Sequence, residues 1–220
     1  MKKIRTAIRE RRALNSFVSG DYSGAEKHFT ALEKIDPHRS GLNHNLGLTA
    51  MALGRYEEAE KRFLRDHKDL GDYYPRIRVM ADLYYIWGKR EQAEIFYRKA
   101  LENSPPDGSR RVIMERISIT ADPEMYEYAC ESAGLYAEGN ILLEDKRYED
   151  ALKLFLEALE KDKTNLPALN NIGVIQMNYY RDYSSAAETF EKGLELENLE
   201  WLEANLEKAK KALAGQKNKR

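Results

Sequence analysis

The chain has one cysteine, four histidines, six prolines and a formal net charge of -1 in 220 residues. A lone thiol, Cys130, can close no internal disulfide and brings no second cysteine to a metal. Lys and Arg total 36 against 37 Asp and Glu, so no global field draws in nucleic acid or an anionic membrane. No apolar run reaches membrane-spanning length, and the basic opening MKKIRTAIRERRALNSF holds no signal-peptide core before Gly20. A cytoplasmic protein with no membrane or nucleic-acid partner is therefore expected. A glycine-rich phosphate loop and a nucleophile elbow are also missing, and His28, His38, His44 and His67 share no ligand spacing. With no motif for chemistry, the expectation is a protein that is not an enzyme and holds no cofactor or metal. Cys130, set among Tyr126, Tyr128 and Tyr136, reads as a small core residue.

What is present is a period. The segments GDYSGAEKHF (20–29), GRYEEAEKRF (54–63), GKREQAEIFY (88–97), KRYEDALKLF (146–155) and RDYSSAAETF (181–190) share one grammar. A turn is followed in four of the five by Tyr, then by Ala three residues on, then by an aromatic four residues later. The alanines fall at Ala25, Ala59, Ala93, Ala151 and Ala186, in steps of 34, 34, 58 and 35 residues. The third step exceeds the period by 24 residues, which marks an insertion, and the last carries one extra residue around Tyr179–Arg181. The aromatics keep register at Phe29, Phe63, Tyr97, Phe155 and Phe190.

Each part of this grammar has a physical reason. Gly20, Gly54 and Gly88 end a first helix where positive φ suits glycine. A small Ala lets two helices cross closely, and the aromatic one turn on fills the groove between them. Gly47, Gly139 and Gly173 place a small residue in the middle of the first helix, expected to face the Ala of the second. Pro37 and Pro105 close repeats one and three, while repeat two has Gly71 there.

These segments resemble the tetratricopeptide repeat (TPR) family, most closely in NHNLGLTAMALGRYEEAEKRF (43–63) and AEGNILLEDKRYEDALKLFLEALEKD (137–162). The resemblance implies an all-α fold, a right-handed α-α superhelix of about five helix pairs with an insertion and a C-terminal capping helix. The expected division is repeats one to three over 1–107, a helical insertion over 108–131, repeats four and five over 132–198, a cap over 199–214 and a frayed tail over 215–220. Within the insertion, SRRVIMERISIT (109–120) reads as a short helix. Asp122-Pro123 then reads as the cap and first residue of a long helix to Glu144. Arg9 and Arg12 stand where the family has apolar residues, as suits an exposed end.

The family's usual role implies a scaffold that binds a peptide or protein segment along its first helices. Helical spacing nominates His44, Asn45, Leu48 and Met51, then Arg78, Asp82 and Tyr85, then Tyr136 and Asn140, and finally Asn171, with Asn170, Val174 and Met177 beside it. Asn45 and Asn171 match the asparagine with which peptide-binding members hold an extended backbone, since one amide both donates and accepts. A carboxylate clamp for chaperone tails is not expected, because Tyr136 replaces its lysine and the next helix offers Trp201 and Asn205. The first set, with Arg78 as a cation for acidic groups, is the preferred site. The alternative is a self-assembling structural protein, a homo-oligomer built on the repeat surface. The terminal lysines and arginines, Lys208 among them, read as solubilising charges without aromatics to stack bases.

Overall fold

A computed structural model describes residues 2–18, 21–70, 73–103 and 105–217. Gly20, Gly71 and the extreme tail 218–220 lie outside these, as does the side chain of His67. The described residues form helices throughout, with no strand among them. The helices are α1 (Lys2–Val18), α2 (Tyr22–Glu33), α3 (Leu42–Ala52), α4 (Tyr56–Leu70), α5 (Tyr74–Ile86) and α6 (Arg90–Glu102), followed by α7 (Asp107–Ala121) and α8 (Pro123–Glu144). Then come α9 (Tyr148–Lys161), α10 (Leu166–Ile175), a π-helix (Gln176–Tyr180), α11 (Tyr183–Leu196) and α12 (Glu200–Lys217). Among the described residues, no helix is long and apolar enough to cross a membrane.

The period translates directly into packing. Ala25, Ala59, Ala93, Ala151 and Ala186 are all 0% exposed, and the five register aromatics are at most 1% exposed. One expectation is corrected. The mid-helix glycines face the aromatic of the second helix, not its alanine. A Cβ on Gly47, Gly139 or Gly173 would stand 2.5 Å from the ring of Phe63, Phe155 or Phe190 respectively. The ring occupies the space a side chain would take, so the close crossing needs glycine at this position of the first helix.

Helix ends follow local chemistry. The Asp122 carboxylate accepts from the backbone N–H groups of Glu124 (2.9 Å) and Met125 (3.2 Å) and starts the 22-residue α8. Asp21, Asn165 and Asp182 cap α2, α10 and α11 in the same way. Gly54 and Gly88 take positive φ as expected, and Lys146 and Arg181 adopt the same left-handed conformation in repeats four and five. For a residue with a side chain this costs of order 1 kcal/mol. The extra residue of repeat five is absorbed by the π-helix, the usual result of inserting one residue into a helix.

The helices divide into two compact units, 1–87 and 88–220. In the first, Ala13, Ala25, Phe29, Leu32, Leu42 and Leu46 form a core with Phe17 packed against it. In the second, one core gathers around Phe155 and Ile172, and another around Phe190 and Leu202 of α12. The insertion helix α7 is a strut within this unit. Arg116 donates to the Tyr97 hydroxyl of α6 (2.6 Å) and to Thr164 in the turn between α9 and α10 (3.3 Å). Arg111 donates to the carbonyl of Glu195 (3.2 Å), and the Asn198 N–H donates to the carbonyl of Gly108 (3.1 Å). Arg116 also explains why repeat three carries tyrosine where the other four carry phenylalanine, because a buried hydroxyl requires a partner.

Candidate functional site

The candidates on α3 and α5 all belong to the first unit. His44, Asn45, Leu48 and Met51 are half-buried on α3, as are Arg78 and Asp82 on α5, whereas Tyr85 is buried at 6% exposure. The main-chain carbonyl of Asn45 accepts from Thr49 Oγ1 (2.7 Å), and its side-chain amide has no partner among the described residues. Arg78 is not an open cation. Its Nε lies 3.1 and 3.0 Å from the two oxygens of Asp82, one helical turn on, and its Nη1 is 3.4 Å from the Tyr74 hydroxyl. A guanidinium held by its own helix meets an incoming acid less readily, which reduces the appeal of this set.

Behind His44 sits a buried ion pair that its sequence positions do not advertise. Arg76 on α5 donates from Nε to Asp66 on α4 at 2.8 Å, with both side chains 8% exposed, and its guanidinium stacks 4.3 Å from the Tyr73 ring centre. Burial lowers the His44 pKa below its ordinary 6.5, with Asp66 raising it and Arg76 lowering it further. The ring, 5.8 Å from that of Phe63, is thus neutral at pH 7. The unfolded chain binds a proton near pH 6.5 that the folded chain resists, so this contribution to stability is present above pH 6.5 and is lost as pH falls towards the folded pKa. Urea midpoints measured at pH 7.5 and pH 5 should therefore drop for the native chain and drop less for His44→Gln. Equal drops would assign the acid sensitivity to other groups.

The second unit brings its candidates into direct contact. Asn171 Nδ2 donates to Asn140 Oδ1 at 2.9 Å, which joins α10 to α8. Asn170 Nδ2 lies 3.5 Å from Asn171 Oδ1, Asn205 Nδ2 on α12 donates to Asn170 Oδ1 at 2.8 Å, and Lys208 Nζ lies 3.3 Å from Asn205 Oδ1. Four amides thus run in one row across α8, α10 and α12. Adjacent residues on a helix diverge by about 100°, so Asn171 reaches back to α8 while Asn170 reaches forward to α12. Tyr136 packs beside Phe155 (5.9 Å between centroids), Val174 and Met177 are half-buried, and Trp201 remains 41% exposed. The roles of Asn205 and Lys208 were not legible in sequence; the intervals of 31 and 35 residues between bonded amides were the available signal.

Cys130 is corrected: it is exposed on α8, not in the core. Partial burial of the sulfur raises its pKa, the Tyr126 hydroxyl lowers it and Glu127 raises it. The net upward shift disfavours the nucleophilic thiolate.

Stacked helix hairpins with an alanine–aromatic crossing and a polar row on their first helices define a helical-repeat protein-interaction scaffold. The chain belongs to the tetratricopeptide repeat family, whose models match residues 18–83, 79–107 and 132–165. No curated protein sequence matches it. Among solved structures it is similar to the TPR domain of P58(IPK), at 17% identity and TM-score 0.46 over 98% of this chain and 67% of that one. It is also similar to MamA from AMB-1, at 18% identity and TM-score 0.45 over 88% and 92%. A third is the TPR2AB domain of yeast Sti1 in its pHSP90 complex, at 14% identity and TM-score 0.44 over 96% of each chain.

Proposed function

We propose that this protein is a non-catalytic, cytoplasmic scaffold that holds an extended polypeptide segment along the amide row of its second unit. The observation that carries this reading is the hydrogen-bonded series Asn140, Asn171, Asn170 and Asn205 across α8, α10 and α12. An amide has two N–H donors and a carbonyl with two lone pairs. The row engages at most one donor and one lone pair of any member, so every member keeps both donor and acceptor capacity. A backbone in extended conformation offers the complementary set of carbonyl and N–H groups, and Tyr136, Val174, Met177 and Trp201 supply apolar contact for alternate side chains. In the domain scheme that accompanies this reading, 1–107 and 132–198 carry the repeats, 108–131 is the insertion and 199–214 is the cap.

Asn171 stands in the middle of the row, so Asn171→Ala should remove its links to both neighbours. Selection of a displayed random-peptide library should enrich binders on the native chain, and the variant should bind them about ten-fold more weakly, as expected from losing up to two hydrogen bonds to the ligand at about 0.5–1.5 kcal/mol each. Its thermal midpoint should be nearly unchanged, because the side chain is half-exposed. Failure to enrich any peptide, or equal binding by Asn171→Ala, would refute the assignment. A second reading, self-association, is favoured by the rings of Tyr148, Tyr179 and Tyr180, packed at 4.5 and 4.9 Å with the latter two 47% and 45% exposed. Light scattering that finds only monomer at high concentration removes that alternative.

A further inference from the structure

We infer that α1 is a membrane-surface helix, whose outward face docks the protein on a bilayer containing anionic lipids. This face belongs to the first unit, whereas the amide row belongs to the second, so neither site depends on the other. Charge in this chain balances as a whole but not locally. The 17 residues of α1 hold six cations, Lys2, Lys3, Arg5, Arg9, Arg11 and Arg12, against a single acid, Glu10. That acid is already engaged, since its carboxylate accepts from Arg39 Nε at 2.9 Å. Arg9, Arg11 and Arg12 have no partner among the described residues, and Arg11 and Arg12 are exposed.

Solubilising charge alone does not account for this face. Ala13 is 0% exposed and Phe17 packs against the core of the first unit, which fixes the inward side of α1. On the outward side Ile8 is 48% exposed and Leu14 42%. Arg11 and Arg12 follow Ile8 by three and four positions and so flank it one turn on, and Leu14 stands one turn beyond Arg11. An apolar residue set between arginines suits a helix lying in a lipid interface. Ile8 and Leu14 enter the acyl boundary, while the arginines lay their stems along it and keep their guanidinium groups at the level of the phosphates. Two other polyanions share the charge but match the face less well. Nucleic-acid bases stack on aromatic rings, and the described exposed residues of α1 include none. A phosphodiester backbone or a run of acidic side chains neutralises the arginines but leaves Ile8 and Leu14 in water. A bilayer with anionic headgroups satisfies both.

The full chain is tested by flotation with vesicles of phosphatidylcholine alone, and of phosphatidylcholine with about one-third phosphatidylserine. It should float with the anionic vesicles only, and less as salt is raised, because the attraction is screened. Arg11→Gln with Arg12→Gln should weaken partition about thirty-fold, the equivalent of about 1 kcal/mol for each cation at the surface. Ile8→Gln should weaken it several-fold while leaving the salt dependence in place, since it removes apolar contact and no charge. None of these side chains has a partner in the fold, so thermal midpoints should match the native chain. Lys153→Gln with Lys192→Gln, which removes exposed cations of α9 and α11, should float as the native chain does. An equal loss in that control would show that net charge, not α1, drives attachment and would overturn the inference. So would indifference to the arginine pair, or native partition by Ile8→Gln, which reduces the effect to adsorption of charge. Failure to float, with binding instead to duplex DNA or to poly-glutamate, would reassign the arginines to another polyanion and overturn it as well.

Discussion

Replacing Phe155 with alanine is expected to destabilise the second unit by about 3–5 kcal/mol. Phe155 is 0% exposed, and its ring edge lies where a Cβ on Gly139 would stand, at 2.5 Å. It also packs with Tyr136 and shares its cluster with Ala151, Ala158, Ala168 and Ile172. Collapse into the resulting void is hindered on the α8 side by a glycine that has no side chain to move in. The cost should therefore sit in the upper part of the range usual for aromatic-to-alanine changes. Gly139→Ala probes the same contact from the other side. It adds about 1 kcal/mol of helix propensity but drives a methyl into the ring, so overpacking of roughly 1–3 kcal/mol should win. Urea denaturation with unchanged slope and lower midpoint for both variants is the expected result. A stabilised Gly139→Ala would mean that the crossing can open without penalty.

The second large effect should come from the ion pair that no repeat motif announces. Asp66→Ala removes the carboxylate 2.8 Å from Arg76 Nε, and both partners are 8% exposed. Removing one charged partner of a buried guanidinium is strongly unfavourable, so destabilisation of up to about 3–5 kcal/mol is expected. The informative control is the double change Asp66→Leu with Arg76→Met. An apolar pair of similar volume carries no desolvation cost, so the double variant should recover most of the stability lost by Asp66→Ala. If it is as unstable as the single change, the loss came from packing between α4 and α5, not from an unpaired charge. Because Asp66 also acts on His44, Asp66→Ala should lower the histidine pKa further, which an NMR titration can follow.

The repeat was legible because its grammar is local and periodic. A residue type required at a helix crossing recurs every 34 residues, so Ala59 and Ala93, or Phe29 and Phe63, reveal each other by position alone. The cap at Asp122-Pro123 and the extra residue near Arg181 were also visible, since capping and helical pitch depend on neighbours in the chain. What the glycines faced was less legible. Spacing shows that Gly47 must be small, but whether a methyl or a ring lies opposite depends on the rotation of α3 against α4, and the ring proved to be the partner. The site was legible only in part. Asn140 and Asn171 carried a spacing signal, whereas the pairing of Arg78 with Asp82 could be suspected from an interval of four but not distinguished from a cation held open for a ligand.

The sequence by itself determined the helical class and the residues that must be small or aromatic at each crossing. These follow from short-range sterics and a period that repeats often enough to be unambiguous. Only the tertiary structure decided which polar groups find one another: Arg116 with Tyr97, Arg76 with Asp66, and the amides of α8, α10 and α12 in a single row. Hydrogen bonds and ion pairs are decided within a few tenths of an ångström and by the loss of water around them. Two residues separated by 19 or 35 positions acquire that proximity only when the helices carrying them have packed.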